Sequence, residues 1–223
     1  YGIGSRYLTA SIGLCDPELT LTLPPAVTAS TGMDALAHAL ESFVNRATQP
    51  ISEALAARAM EMIGRSLRRA VFAGDDLRAR SEMLLASTMA AMAFNPTRLG
   101  DAHALAMPLG ASHEIPHSVV IAILLPAVVE FNVVASVEKF AAIARLLGEA
   151  VDGGSPRAAA EKAVEAVRRL REDLPIPRGL AEYDVREEHL PRLAEEAMAS
   201  GNVPVNPRMT TADDLVEIMR RAM

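Results

Sequence analysis

The feature that most constrains the fold is a helical repeat of apolar residues, which begins near residue 30 and continues to the end of the sequence. Apolar residues recur three and four positions apart, as on one face of a helix. Half of the 223 residues are hydrophobic but only 4% are aromatic, a composition that favours helices over sheets. The sequence therefore predicts a mainly α fold, a helical bundle with an aliphatic core.

Capping and breaking residues divide this repeat into separate helices. Ser30 or Thr31 can cap the first helix, and Ser52 opens the second. Residues 98–117 are expected to form a broken helix because they contain prolines and a glycine, whereas 117–132 is nearly all apolar and should be buried on most sides. The predicted helical ranges are 30–45, 52 onward, 75 or 76 to 96, 98–117, 117–132, 136–150, 155–172, 186–200 and 211–222.

The first 29 residues have a different pattern. Residues 7–14 are strand-like, and 19–25 should be extended because Pro24 and Pro25 resist helix formation. A lone strand is not stable in water, so this piece either docks on the helices or belongs to a larger sheet. We therefore divide the sequence into a strand-like segment, 1–29, and an all-helical domain, 30–223.

Charge, cysteine content and hydropathy exclude several classes of protein. A net charge of −6 argues against a nucleic-acid partner, since binding phosphates requires concentrated Lys and Arg. The single cysteine, Cys15, excludes an intramolecular disulfide, which fits a cytoplasmic location. The longest apolar run, 119–129, falls short of the roughly 20 residues that span a bilayer. We expect a soluble protein without a membrane partner.

Four polar residues in apolar surroundings are candidate metal ligands. Asp34 and His38 are four residues apart, so they project from one helix face; such a pair is also common on exposed surfaces. His103 lies among small apolar residues, and His117 opens the most apolar helix. Each histidine could instead bond a backbone carbonyl in the core. One shared ion is the simpler explanation for three histidines and a carboxylate.

Two long motifs carry a family resemblance. The segments STGMDALAHALESFV and LGDAHALAMPLGASHEIPHSVVIAILLPAVVEFN resemble the iron-containing (group III) alcohol dehydrogenases, and the similarity extends from about residue 15 to the last helix. It implies that Asp34, His38, His103 and His117 bind Fe(II), with Zn or Mn as alternatives. His103 and His117 would then be catalytic. Leu19 would lie near NAD or NADP.

The resemblance also implies a function. It suggests hydride transfer between a small alcohol or aldehyde and NAD(P), with the alcohol oxygen activated by the metal, in a protein that is expected to form a homodimer. Residues 1–29 would be the last part of the family's dinucleotide-binding domain. The Gly-Gly-Ser phosphate loop of that domain has no counterpart in the sequence. We therefore do not expect a full catalytic cycle from this chain alone.

Three residues bear on how far the resemblance extends. Met107 replaces the second histidine of the family's HxxxH block, so it can pack but not transfer a proton. His113 either takes over that role or is a surface loop residue. Arg98 either faces the pocket and binds an acidic substrate group or is a solvated residue at a helix start.

Two other functions remain open at the level of sequence. One is a non-catalytic metal-binding helical module that has lost its cofactor domain. The other is a metal hydrolase, for which Asp101 and Glu114 are the nearest candidate general bases.

Overall fold

The fold is a bundle of α-helices, as the apolar repeat predicts. The computed structural model describes residues 6–8, 10–151 and 153–223. Over these ranges it contains nine α-helices and no strand. The helices are α1 (Pro25–Val44), α2 (Pro50–Phe72), α3 (Leu77–Phe94), α4 (Asp101–His113), α5 (His117–Asn132), α6 (Val137–Leu146), α7 (Pro156–Glu172), α8 (Leu190–Met198) and α9 (Ala212–Arg221).

Local chemistry explains where several helices begin. The Asp76 carboxylate accepts a hydrogen bond from the backbone N–H of Ala79 at the start of α3. Thr211 and Asp214 form a reciprocal capping box at the start of α9, as their spacing predicts. Helix α2 begins at Pro50, two residues before the predicted Ser52, because the Gln49 side chain caps it.

The start of α1 differs from the prediction. Helix α1 begins at Pro25, so residues 25–29, which the sequence pattern assigned to the N-terminal segment, belong to the first helix. Pro24 is the N-cap residue and Pro25 the first helical residue. A proline at the first helical position loses no hydrogen bond and has its φ already fixed near the helical value, so it starts a helix instead of preventing one.

The strand expected over residues 7–14 does not form. Residues 7 and 8 lie in a short 3-10 helix, Arg6–Leu8, and residues 10–16 have neither helix nor strand; residue 9 lies outside the described part. Residues 19 and 20, the start of the expected extended stretch, lie instead in the 3-10 helix Pro17–Thr20. A strand needs a neighbouring strand for its backbone hydrogen bonds, and the described residues supply none.

Helix α4 is continuous, and the prediction of a broken helix over 98–117 was wrong. Pro108 and Gly110 both lie inside it, and it ends where Glu114 adopts a left-handed conformation with φ 53°. A proline removes one backbone hydrogen bond, but α4 is held from outside by packing against α5 and α8. Tertiary contacts therefore compensate for a poor local helix sequence.

Helix α5 runs through the centre of the bundle. It packs against α1, α4, α7 and α9, and most of its side chains are buried. Within the described chain, His117–Ala135 is long and apolar enough to cross a membrane by length and composition, which the shorter run at 119–129 did not suggest. Because 61% of this window is buried inside the protein, its apolar character is accounted for by the core.

Candidate metal centre

Three helices bring the candidate ligands together. Helix α1 carries Asp34 and His38 one turn apart, His103 lies in the first turn of α4, and His117 is the first residue of α5. Because α1 packs on α5, and α5 on α4, these positions meet at one end of the three helices. His103 is buried, Asp34 and His38 are partly buried, and the His117 side chain is 46% exposed. The site is therefore open mainly on the side of His117.

The imidazoles converge on one carboxylate oxygen. The Nε2 atoms of His103, His38 and His117 lie 3.4, 3.7 and 3.9 Å from Asp34 Oδ1. One ligand atom from each of Asp34, His103 and His117 lies within 4.8 Å of the other two. The His38 ring stacks on that of His103, with centroids 4.7 Å apart. The four side chains that the sequence indicated as candidate metal ligands therefore lie together at one site.

Two buried atoms at this place have no hydrogen-bond partner among the described residues. They are Asp34 Oδ1 and His103 Nε2, and their 3.4 Å separation is an ion-pair contact without hydrogen-bond alignment. A buried polar atom without a partner is costly, so such atoms commonly face an ion or water. Ligands about 2.1 Å from a shared ion lie about 3.4 Å apart in a tetrahedral site. The donor set therefore fits a divalent cation.

The pKa values favour neutral ligands at two of the histidines. Burial, reinforced by the nearby His103, lowers the pKa of His38 to about 4. Burial also lowers the pKa of His117. Imidazoles must be deprotonated to bind a metal, so both are ready at neutral pH.

The other two candidate ligands, His103 and Asp34, are ionised in the absence of a cation. Burial acts to lower the pKa of His103, but Glu41 and Asp34 outweigh it and raise that pKa to about 9. Burial acts to raise the pKa of Asp34, but the contact with His103 and the neighbouring imidazoles hold it below its usual value. A divalent cation would therefore compete with the Nε2 proton of His103.

Glu41 is the residue of this site that sequence reasoning missed. Its carboxylate is buried, with 2% of the side chain exposed, and lies 2.6 Å from His103 Nδ1. It also accepts hydrogen bonds from the backbone N–H groups of Gly100, at 3.0 Å, and Ala102, at 2.8 Å. The available signal was its position seven residues after Asp34, which places both on the same face of α1.

The remaining residues named from the sequence lie elsewhere or at the edge of the site. Met107 follows His103 by one turn of α4 and is 62% exposed. His113 does not take the place of the family's histidine, because its Nε2 pairs with His189 Nδ1 at 3.2 Å. Leu19 is 78% exposed in the 3-10 helix Pro17–Thr20, so it is free to meet another surface.

Arg98 and the two candidate general bases have structural positions of their own. The Arg98 guanidinium lies so close to Gly201 that a β-carbon added at Gly201 would clash with it. The structure therefore does not support the alternative that Arg98 faces the metal pocket. Asp101 is buried and accepts a hydrogen bond from the Thr210 hydroxyl at 2.7 Å. Glu114 is exposed beyond the last turn of α4, at the opposite end of that helix from His103. Neither acid points to a hydrolase.

Comparison with known proteins agrees with this geometry. Residues 28–223 match the model of the Fe-containing alcohol dehydrogenase family, C-terminal part. The chain belongs to this family. Within it, the chain is 44% identical to 1,3-propanediol dehydrogenase of Klebsiella pneumoniae, over 95% of this chain and 55% of that protein. It is 39% identical to NAD-dependent methanol dehydrogenase of Bacillus methanolicus, over 97% and 57%.

Solved structures of the family have the same helical architecture. A 1,3-propanediol oxidoreductase superposes with a TM-score of 0.92 at 44% identity, covering 93% of this chain and 55% of that one. An alcohol dehydrogenase from Oenococcus oeni gives 0.90 at 41% identity, covering 93% and 54%. The chain therefore spans about half the length of the relatives that it matches, and its family match is to their C-terminal part.

Proposed function

We propose that this chain forms the metal-binding part of an alcohol dehydrogenase or aldehyde reductase, with Asp34, His38, His103 and His117 as the ligands of one divalent ion. The observation that carries the proposal is the pair of buried atoms without hydrogen-bond partners in the described structure, Asp34 Oδ1 and His103 Nε2. The Nε2 atoms of the other two histidines lie within 3.9 Å of the same oxygen.

The donor set leaves the choice of metal open on chemical grounds. One carboxylate and three imidazoles suit Fe(II), Zn or Mn, and no thiolate biases the site toward zinc. The family's name favours iron. Bound there, the ion would act as a Lewis acid that acidifies an alcohol hydroxyl and polarises a carbonyl.

The side chains of this chain would position the substrate at the exposed edge of the site. His117 is the most exposed of the four ligands, and the exposed Met107 lies one turn beyond His103. A small alcohol can therefore approach from the side of α5 and contact an apolar side chain there. Met107 carries no titratable group, so proton transfer to or from the substrate depends on another group.

Hydride exchange with NAD or NADP would take place on the same open side. Relatives of this chain are named for 1,3-propanediol, methanol and lactaldehyde, which are small alcohols or aldehydes. We place the dinucleotide near Leu19, on the exposed segment that precedes α1. A cytoplasmic location and a homodimer remain predictions.

Metal analysis under anaerobic conditions tests the ligand set. The wild type should carry one ion per chain, and His38→Ala and His103→Ala should lose it. His113→Ala is the matched control, because it removes a histidine from α4 that pairs with His189 and not with Asp34. Full metal occupancy in either ligand variant would remove that residue from the site.

Turnover separates the proposed activity from the two alternatives. The protein as encoded by its gene should oxidise a small alcohol with NAD or NADP, and the His103→Ala variant should not. Metal binding without any binding of dinucleotide would instead favour a non-catalytic metal-binding module. Hydrolysis of an ester or phosphoester without dinucleotide would favour a hydrolase.

A further inference from the structure

We propose that Glu41 is a positioning residue of the metal centre, which holds His103 with the proton on Nδ1 and directs Nε2 toward Asp34. This inference rests on the proposed metal site. Glu41 would touch neither the substrate nor the ion. Its role would be to orient the ligand His103.

The tautomer follows from hydrogen-bond chemistry. An ionised carboxylate only accepts hydrogen bonds, so the ring nitrogen 2.6 Å from Glu41 Oε2 must carry a proton. With Nδ1 protonated, the nitrogen available for a metal is Nε2. That atom is buried, lacks a hydrogen-bond partner in the described structure and lies 3.4 Å from Asp34 Oδ1. Carboxylates commonly orient metal-binding imidazoles in this way.

The carboxylate is itself held in place by the start of α4. The N-cap residue of this helix, Gly100, has no side chain with which to cap it. Glu41 instead accepts from the N–H groups of Gly100 and Ala102, which are among the groups that a helix start leaves without partners. The positive end of the helix dipole also favours a buried negative charge at this position.

This arrangement makes α1 the helix that positions most of the metal centre. One face of α1 carries Asp34, His38 and Glu41, so the same helix supplies two ligands and orients a third on α4. The close approach of α4 requires a glycine. A β-carbon on Gly100 would lie 2.9 Å from Glu41 Oε1 and 3.2 Å from its Cδ.

Glu41→Gln tests the role, because an amide has only one accepting oxygen where the carboxylate has two. In either orientation the new NH2 group faces a donor, His103 Nδ1–H or the N–H of Ala102, so the side chain can no longer hold both the imidazole and the start of α4 in place. We expect zinc affinity, measured by competition with a chelator, to fall about 10- to 100-fold. Ser42→Ala is the matched control: Ser42 is also buried on α1, but its hydroxyl donates to Ala39 of the same helix, so zinc affinity should stay unchanged.

Thermal unfolding of the metal-free proteins distinguishes positioning from a structural role alone. A variant that is less stable but binds zinc within twofold of the wild type would overturn the inference. Nitrogen-15 NMR of the zinc-loaded wild type gives a test that does not depend on the variant folding. It should show His103 protonated at Nδ1 and not at Nε2, and the opposite tautomer would overturn the inference.

The proposed function and this inference fail in different ways. If the wild type binds neither zinc nor Fe(II), both are wrong. If the wild type binds metal, loses it in His103→Ala and retains full affinity in Glu41→Gln, only the role of Glu41 is wrong.

Discussion

Asp101 is a fully buried carboxyl group, and replacing it with asparagine should make the stability of the fold less sensitive to pH. Its Oδ2 accepts from the Thr210 hydroxyl at 2.7 Å, whereas its Oδ1 has no hydrogen-bond partner among the described residues. Burial raises the pKa of Asp101 to about 8, against the effect of the Thr210 hydrogen bond, and the charge of Glu41 adds to the rise.

The sign and size of the effect follow from proton linkage. The group titrates near 3.8 when unfolded and near 8 when folded, so between these pH values only the native state holds the proton. The free energy of unfolding therefore falls as pH rises, by about 1.4 kcal/mol per pH unit, until it levels off above pH 8. Between pH 6 and pH 9, the titration of Asp101 alone should lower the free energy of unfolding of the wild type by about 3 kcal/mol.

Urea unfolding of the metal-free proteins at pH 6 and pH 9 measures this difference. Asp101→Asn keeps the shape of the protonated acid, so the variant should lose about 3 kcal/mol less than the wild type over this range. The titration of His103 is present in both proteins and cancels. Asp213→Asn, which makes the same substitution at an exposed position, should show the same pH dependence as the wild type. Equal pH dependence of the wild type and Asp101→Asn would refute the reasoning.

Two further substitutions test the surroundings of the metal centre. Gly100→Ala should lower the free energy of unfolding by about 1–3 kcal/mol in urea, because its β-carbon would crowd Glu41 Oε1 at 2.9 Å and Asn206 Oδ1 at 3.0 Å. Gly13→Ala, in open space, is the control, and an equally small change in both would contradict the packing argument. Met107→His should leave the metal content of the protein unchanged, because Met107 is 62% exposed. It should also add a titration near pH 6.5 to the pH dependence of the rate of alcohol oxidation. An altered metal stoichiometry would show that Met107 is part of the site.

Local sequence information was sufficient for most of the helices. The period of the apolar residues predicted the mainly α fold, and the helices predicted to open near residues 76 and 211 begin at Leu77 and Ala212. These signals work because a helix is made of contacts three and four residues apart. The same rule correctly placed Asp34 and His38 on one face of α1.

Prediction failed where packing overrides local preference. Pro108 is accommodated within α4 because neighbouring helices hold the chain around it. Pro25 starts α1 for a local reason, since its fixed φ suits the first helical position. The strand expected over residues 7–14 failed for the opposite reason, since a strand depends on a partner that the described residues do not contain.

The sequence by itself determined which residue types were available for a metal and which of them share a helix. Only the tertiary structure decided that His103 meets Asp34 at 3.4 Å and that Glu41, 62 residues away in sequence, lies behind its ring. The tertiary structure also pairs His113 with His189, away from the metal centre. The physical reason is that burial and the loss of hydrogen-bond partners arise only when helices pack against one another. The spacing of residues along a single helix carries no information about either.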